Sequence, residues 1–323
     1  MRRNNNKPDE PQVTVIVLNW NGLTITYKDK PILESTLETL NKSIYGNLKI
    51  ILTDADSQDN SINYVKKNFK HIDVLSVKNN GVSYAFNMSI KYAFSKYPKS
   101  KYLLFLNNDL KFIDSDWINK LVKIGENDSS VGIIGCKLLD SYGVSNGIGS
   151  YMERFYSLSS KNKKSGYVDS VNGAVFLIKS SMIKKIGLFD EIYLPFFAEE
   201  WDYCLRAKSN GYKSYYANSV SIMHLEGYTL MKTDIKKKWS KHQLEYYSIR
   251  NNWIFILRWY PYLLPLNLFY NFVQSLIKND NGLHLRKPDE VFFRLHSNVT
   301  GFKEALSLYK KSKIPALSKK IPK

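Results

Sequence analysis

Val13-Thr14-Val15-Ile16-Val17-Leu18-Asn19-Trp20-Asn21-Gly22 is an apolar, largely β-branched run that stops abruptly at polar residues. Such a run reads as a strand buried on both faces, and the Asn-Trp-Asn-Gly exit as a turn. Lys49 to Thr53, Val74 to Val77 and Tyr102 to Leu106 repeat the pattern, with helical periodicity between them around Ser61 to Phe69 and from Val82 to about Tyr97. Strands alternating with helices predict an α/β fold, with a mostly parallel central sheet flanked by helices. Ligands of such sheets bind beyond the carboxyl ends of the strands. The next three strands also end in polar residues: Asp54-Ala55-Asp56-Ser57, Asn79-Asn80-Gly81 and Asn107-Asn108-Asp109. Four polar exits on one edge predict a site there.

The chain has 323 residues, 44% of them hydrophobic, enough for one large domain or two ordinary ones with a substantial core. That composition excludes a disordered chain, a collagen-like fibre and a disulfide scaffold. Cys136 and Cys204 are the two cysteines, far apart in sequence, which suits a reducing compartment. The basic start, Met1 to Pro8, lacks the apolar run of a signal peptide. Net charge +18 suits nucleic acid, an anionic membrane surface or a phosphorylated substrate.

From Gly132 onward the pattern loosens. Ser141 to Gly166 is rich in Ser, Gly, Asn and Lys and reads as a mobile loop over a cleft. Val171 to Ile178 reads as a strand, Glu199 to Ala207 as a helix stopped near Gly211, and Ser214 to His224 as a further strand. Past Thr233 a helical stretch runs through Arg250, and Trp253 to Ile277 is strongly apolar and aromatic. Arg258, Pro261 and Pro265 interrupt it. Leu268, Phe269, Phe272, Val273, Leu276 and Ile277 form one helical stripe opposite Asn267, Asn271, Gln274 and Lys278, as in an interfacial or packed helix.

Several residues have the chemistry a site needs, each beside a plainer reading. Asp109 at a strand exit suits a divalent cation that would hold a diphosphate, or simply a turn. Asp54, with Ser57 and Asp59 after it, suits a nucleobase or ribose contact, or a helix cap. Glu199-Glu200-Trp201-Asp202 opens a helix, where acids favour the dipole but also where a general base could meet a cleft. His224, before a Gly-containing turn, suits phosphate or metal. Neither a phosphate loop nor CxxC, HExxH or GxSxG occurs.

Taken in order, these pieces resemble the family 2 glycosyltransferases, in particular a rhamnosyltransferase-like branch, over about Val13 to Arg250. The resemblance implies a GT-A fold, Rossmann-like in its nucleotide-binding half. Val15 to Gly22 is similar to the family's opening strand and nucleotide-binding turn, with Asn19 and Asn21. Asp54-Ala55-Asp56-Ser57-Gln58-Asp59 resembles its Asp-Asn-x-Ser-x-Asp segment, with Ala55 in place of the usual Asn. Asn79-Asn80-Gly81 with Asn87 matches an Asn-x-Gly…Asn pattern. Asn107-Asn108-Asp109 stands where the metal-binding triplet belongs. Gly173 with Gly187-Leu188-Phe189-Asp190-Glu191 is similar to the stretch before the catalytic helix, and Glu199 to Arg206 to the Glu-Asp-x-Asp-Leu-x-x-Arg element. Glu200 stands at the usual Asp base, and Glu199 remains an alternative. Arg258-Trp259 resembles part of a processive synthase's Gln-x-x-Arg-Trp, but Phe255 occupies the Gln position.

The resemblance therefore implies an inverting, metal-dependent transfer from a nucleotide-diphosphate sugar (UDP, dTDP or GDP) to a hydroxyl of a glycan or polyisoprenoid-linked acceptor. Glu200 or Glu199 would act as base, and Asp109 with His224 would hold Mg²⁺ or Mn²⁺. Asn19, Asn21, Asp54, Asp56, Asn79, Asn87, Asn108 and Arg250 would contact the donor, and Gly173, Trp201 and Asp202 would face the acceptor. The expected organisation is a flexible tail over 1–12, a catalytic domain over 13–233 divided at 110, and a helical, basic region over 234–323. That region would touch a membrane surface through 253–278, at the cytoplasmic face, with a homodimer left open. The rival readings are a nucleotidyltransferase, which needs a Gly-rich activation loop that Asn19 to Gly22 does not supply, and a nucleic-acid-binding protein. The second would interleave basic and aromatic residues in the αβ region, which instead gathers acids at strand exits.

Overall fold

A computed structural model describes residues 10–147, 151–152, 158–159, 164–225, 240–279 and 283–311. The first half alternates strands and helices: β1 (Val13–Asn19), α1 (Ile32–Leu40), β2 (Leu48–Ala55), α2 (Ser61–Asn68), β3 (Asp73–Val77), α3 (Val82–Lys96) and β4 (Tyr102–Asn107). There follow β5 (Leu110–Phe112), α4 (Trp117–Asn127), β6 (Val131–Leu139), β7 (Gly166–Val168), β8 (Val175–Lys179), α5 (Ser180–Ile186), α6 (Glu199–Ser209) and β9 (Lys213–His224). Three helices close the described chain: α7 (Lys241–Trp259), α8 (Leu264–Leu276) and α9 (Pro288–Lys311).

Among the described residues the strands form a ten-stranded sheet, with the path β7-β9-β6-β8-β4-β1-β2-β3. The four N-terminal strands are all parallel, with Asn19 opposite Asp54 and Leu18 opposite Asn107, so their polar exits share one edge. β1 lies between β2 and β4, and the chain crosses from one side of it to the other. That is the switch point at which open α/β sheets bind ligands. Beyond β4, antiparallel β8 joins the half to β6 and β9, which are parallel to each other.

Strand side chains alternate between two faces, and both are covered. Val13, Val15, Val17, Leu104 and Leu106 pack with Leu33 and Leu37 of α1 and Leu121 of α4. Ile16, Leu103 and Phe105 face the other way, toward Phe86 and Ile90 of α3, Met182 of α5 and Tyr203 of α6. Both faces being apolar explains why the strands read as continuous hydrophobic runs.

The C-terminal helices form a third apolar cluster, on α6. Trp253, Ile254, Phe255, Ile256 and Trp259 of α7 pack with Tyr193, Ala198 and Leu205. A capping box starts α7: Ser240 Oγ accepts from Gln243 N–H, and Gln243 Oε1 accepts from Ser240 N–H. Gly301 allows α9 to cross close by, since a Cβ there would lie 3.4 Å from Arg250 Cα. The membrane contact expected over 253–278 is thus corrected for its first part, because 253–259 is buried against protein. Residues 10–12, expected in a flexible tail, are tied down: Gly46 N–H donates to Glu10 Oε2, and Asn47 Nδ2 to Glu10 O. Most of the Ser141 to Gly166 loop and residues 226–239 lie outside the described residues.

Trp253 fills the centre of the third cluster, with its ring edge-on to Phe302 and its Nε1–H donating to Asn298 Oδ1. Trp253→Ala should cost about 3–5 kcal/mol, read as a lowered midpoint in denaturant unfolding.

Candidate active site

At the exits of β1, β2 and β4, polar side chains form a closed lattice. Asn19 Nδ2 donates to Asp54 Oδ2 at 2.8 Å, and Asn108 Nδ2 donates to Asn19 Oδ1 at 2.7 Å. Asp54 also accepts from Ser57 N–H and Ser57 Oγ. Asn21 Oδ1 accepts from Gln58 N–H, while Asn21 N–H donates to Ser57 Oγ. The turn after β1 fits this tightly because residue 22 is glycine: a Cβ there would sit 2.4 Å from Asn19 Oδ1 and 2.7 Å from Asn108 Nδ2. Asp59 accepts from Leu23 and Ser61 N–H, so it joins the two turns and starts α2. Asp56 lies exposed beside the lattice in a left-handed conformation at φ 60°. The turn leaves Asp56 exposed, while Asn21 and Asp54 beneath it are buried.

The next residues around the edge are an acid and an imidazole. Asp109 Oδ1 lies 3.2 Å from His224 Nε2, and both residues are buried. β5 pairs with β9 so that Leu110 opposes His224, which brings together two residues 115 apart in sequence. Thr36 of α1 sets the triplet: its Oγ1 lies 2.8 Å from the carbonyls of Asn108 and Leu110 and accepts from Leu110 N–H. One carboxylate oxygen and one imidazole nitrogen fit two positions of a divalent cation's shell. Among the described residues no group of three or more His, Cys, Asp or Glu gathers, so a diphosphate and water would complete the shell.

Asn107 joins this pair to the acids of α6. Its Nδ2 lies 3.4 Å from His224 Nε2, and its N–H donates to Ala174 O. Next to Ala174 is Gly173, and a Cβ placed there would touch Glu200 Cβ, Cγ and Cδ at 3.7–3.8 Å. Glu200 is partly exposed, whereas Glu199 is buried with its Oε2 unpartnered. Burial pushes the Glu200 carboxyl up to about 7. Burial, and then the charge of Glu200, push Glu199 well above the ordinary carboxylate range. The pair therefore takes on charge only above the ordinary carboxylate range, because burial disfavours the ionised form.

Both acids follow a constrained turn. Phe197 and Ala198 are left-handed, at φ 79° and 72°, each costing roughly 1–2 kcal/mol. Asn251 of α7 holds the turn by donating from Nδ2 to the carbonyls of Tyr193, Phe196 and Phe197. Gly81, at φ 104°, admits Pro195 from the other side: Val82 N–H donates to Pro195 O, and a Cβ on Gly81 would lie 2.5 Å from that oxygen.

Four expected ligand residues have structural contacts instead. Both amide atoms of Asn87 clamp the 189–191 segment, donating to Phe189 O and Glu191 Oε1 and accepting from Phe189 N–H. Arg250 donates to Glu304, Leu194 O and Asn251 Oδ1 and covers the Tyr247 ring. Asp202 has no solvent exposure and accepts from Arg258 Nη1, Trp259 Nε1 and the Tyr193 hydroxyl. Trp201 stands edge-on to Phe255 at 5.9 Å. Asn79 lies partly exposed ahead of Gly81. Sequence reading placed Asp190 and Arg258 in motifs and set Asn251 beside Arg250 near the diphosphate, without seeing that all three are clamps; Asp190 accepts from Arg258 Nη2 at 2.6 Å. The Arg258-Trp259 pair was the available signal, and its partner is Asp202 rather than a substrate.

The sequence model of the family described as Glycosyl transferase family 2 matches residues 9–187, more than half of the chain. That match ends before Glu199. An uncharacterised protein, y4gI of Sinorhizobium fredii (strain NBRC 101917 / NGR234), is 21% identical over 264 residues, which is 75% of this chain and 28% of that protein. The structure of GalNAc-T7 with UDP, GalNAc and Mn²⁺ superposes with TM-score 0.59 at 14% identity, over 93% of this chain and 57% of the other. S. aureus TarS superposes with TM-score 0.51 at 15% identity, over 76% and 40%. This chain thus spans less than two thirds of each of these proteins. The likeness in fold extends past the end of the family match and supports the GT-A architecture.

Two measurements follow from the site. An acid with a raised folded pKa contributes stability below its unfolded pKa and loses it as pH rises through the folded value. Wild-type stability should therefore fall, as pH rises above roughly 5, more steeply than that of Glu199→Gln, by up to about 1.4 kcal/mol per pH unit in urea titrations. Asn251→Leu should cost about 1–3 kcal/mol by stranding the carbonyls of the strained turn, read the same way.

Proposed function

Because the chain belongs to glycosyl transferase family 2, we propose that it moves a hexose or rhamnose from a nucleotide-diphosphate sugar to an acceptor hydroxyl, with inversion. The observation that carries this reading is Glu200, a partly exposed carboxyl against Gly173, one residue from the backbone that holds Asn107 beside the Asp109–His224 pair. A base and a two-ligand cation site on one sheet edge suit displacement of a diphosphate.

In this reading the nucleoside lies at the turn of Asn19, Asn21, Asp54, Asp56, Asn79 and Asn108, with UDP, dTDP and GDP as candidate nucleotides. Asp109 and His224 would hold Mg²⁺ or Mn²⁺, and the metal supplies positive charge for the leaving diphosphate. GalNAc-T7, whose fold this chain shares, was solved with UDP and Mn²⁺. Glu200 takes the proton of the acceptor hydroxyl, whose oxygen bonds to the anomeric carbon as the carbon–diphosphate bond breaks on the opposite face. The acceptor is a glycan or a polyisoprenoid-linked sugar, and the latter would set the work at the cytoplasmic face of a membrane. The catalytic unit is the 13–233 domain, with 234–323 bracing it.

Glu200→Gln should lower kcat at least about 100-fold while the unfolding transition is kept. In the wild type, kcat/KM should climb with pH through about 7 as Glu200 ionises. Asp109→Ala should weaken metal-dependent donor binding, read as lost thermal stabilisation by nucleotide sugar with Mn²⁺. Full turnover by Glu200→Gln would overturn the base assignment.

A further inference from the structure

Helix α8 faces the wrong way for a helix in water. Its polar residues Asn267 and Ser275 are buried, and Asn271 and Ser275 Oγ donate back to carbonyls of the helix itself. Asn298 of α9 reaches Ser275 Oγ from the protein side. Leu266, Leu268, Phe269, Tyr270 and Phe272 point outward, with Phe269 69% and Phe272 51% exposed. At a helical repeat these positions cover more than half of the circumference, and no charged residue occurs from Trp259 to Ile277. A surface helix that buries asparagine and serine and exposes phenylalanine is built for an apolar medium.

The surroundings of the helix indicate which medium. α8 ends directly in a hairpin, Ile277–Asn279 paired with Leu283–Leu285, in which Lys278 opposes His284. Arg286 and exposed Lys287 follow at once, and Leu285 beside them is 84% exposed. The residues from 241 onward carry fourteen Lys and Arg against five Asp and Glu. An apolar, aromatic helix in a region of that net positive charge, with Lys287 exposed beside it, matches an anionic bilayer surface in both respects. A second copy in a two-fold pairing would instead set two regions of like net charge near one another. No helix among the described residues is long and apolar enough to cross a membrane, so the fit is to lying in the headgroup plane.

We propose that α8 is a membrane-docking face, inserting Leu266, Phe269, Tyr270 and Phe272 among the acyl chains of an anionic leaflet while Lys287 meets the headgroups. The proposal stands apart from the transfer reaction, because none of these residues belongs to the cleft.

The test is flotation of the full chain with phosphatidylcholine vesicles, with and without phosphatidylglycerol, in low and high salt. The wild type should float with the anionic vesicles, less so in high salt. Phe269→Asp/Phe272→Asp and Lys287→Glu should each reduce binding at least about tenfold, with unchanged thermal unfolding and unchanged turnover of a soluble acceptor. Phe269→Trp, which keeps the apolar surface, should show a new emission component quenched by brominated lipid. Absence of flotation, equal flotation of Phe269→Asp/Phe272→Asp, or no quenching in Phe269→Trp would overturn the proposal. So would a wild-type dimer that this same variant dissociates without any vesicle binding, which would assign the face to a second copy.

Discussion

The Asp202 carboxylate has no solvent exposure, yet four groups converge on it: Arg258, Trp259 and the Tyr193 hydroxyl on one oxygen, and Arg206 Nε at 3.1 Å from the other. A buried charge is tolerated only when it is matched and hydrogen-bonded in this way, and removing one partner of such a pair costs about 3–5 kcal/mol. Arg258 then extends the network to Asp190, at the start of the segment that Asn87 holds. One carboxylate thus fixes α6, the turn before it and α7 relative to one another. The strained turn at Phe197 and Ala198 persists because Asn251, on the helix so anchored, satisfies its carbonyls.

This constraint alters the meaning of the C-terminal region. It is less an appendage than the back wall of the site, with Trp253 and Phe255 completing the core behind α6. The division of labour within α7 to α9 follows from the same packing. Once α7 buries its aromatic face against α6, α8 is left at the rim and shows its own apolar side outward. The large positive charge is also uneven: acids gather at the strand exits, while much of the excess lies from residue 241 onward.

The strands, their polar exits and the helix opening at Glu199 were legible in the sequence because each depends on local periodicity. Val13 to Asn19 is apolar on both faces in any arrangement that buries both, and Asn, Asp and Gly after a strand can only turn. Less legible was the role of each polar residue. Asn87 and Asp54 lie in motifs of similar weight, but Asn87 is committed to Phe189, 102 residues away. Arg250 looked like a diphosphate ligand and is instead bonded to Glu304 and Leu194 O. Helix α9 was not read as a separate element, and its seam of Phe302, Ala305 and Leu306 finds its meaning only against α7.

By itself, then, the sequence determined the α/β class, the edge on which chemistry would gather, and the acids from which a base and a cation site could be drawn. Tertiary structure decided which acids remain available: Glu200 against Gly173, Asp109 beside His224, and Asp202 withdrawn into the wall. It also turned the aromatic stretch from one continuous surface into a buried half and an exposed half. The physical reason is common to both. A polar or amphipathic side chain takes its role from whichever partner satisfies it, and these partners stand tens of residues away, where no local pattern reaches.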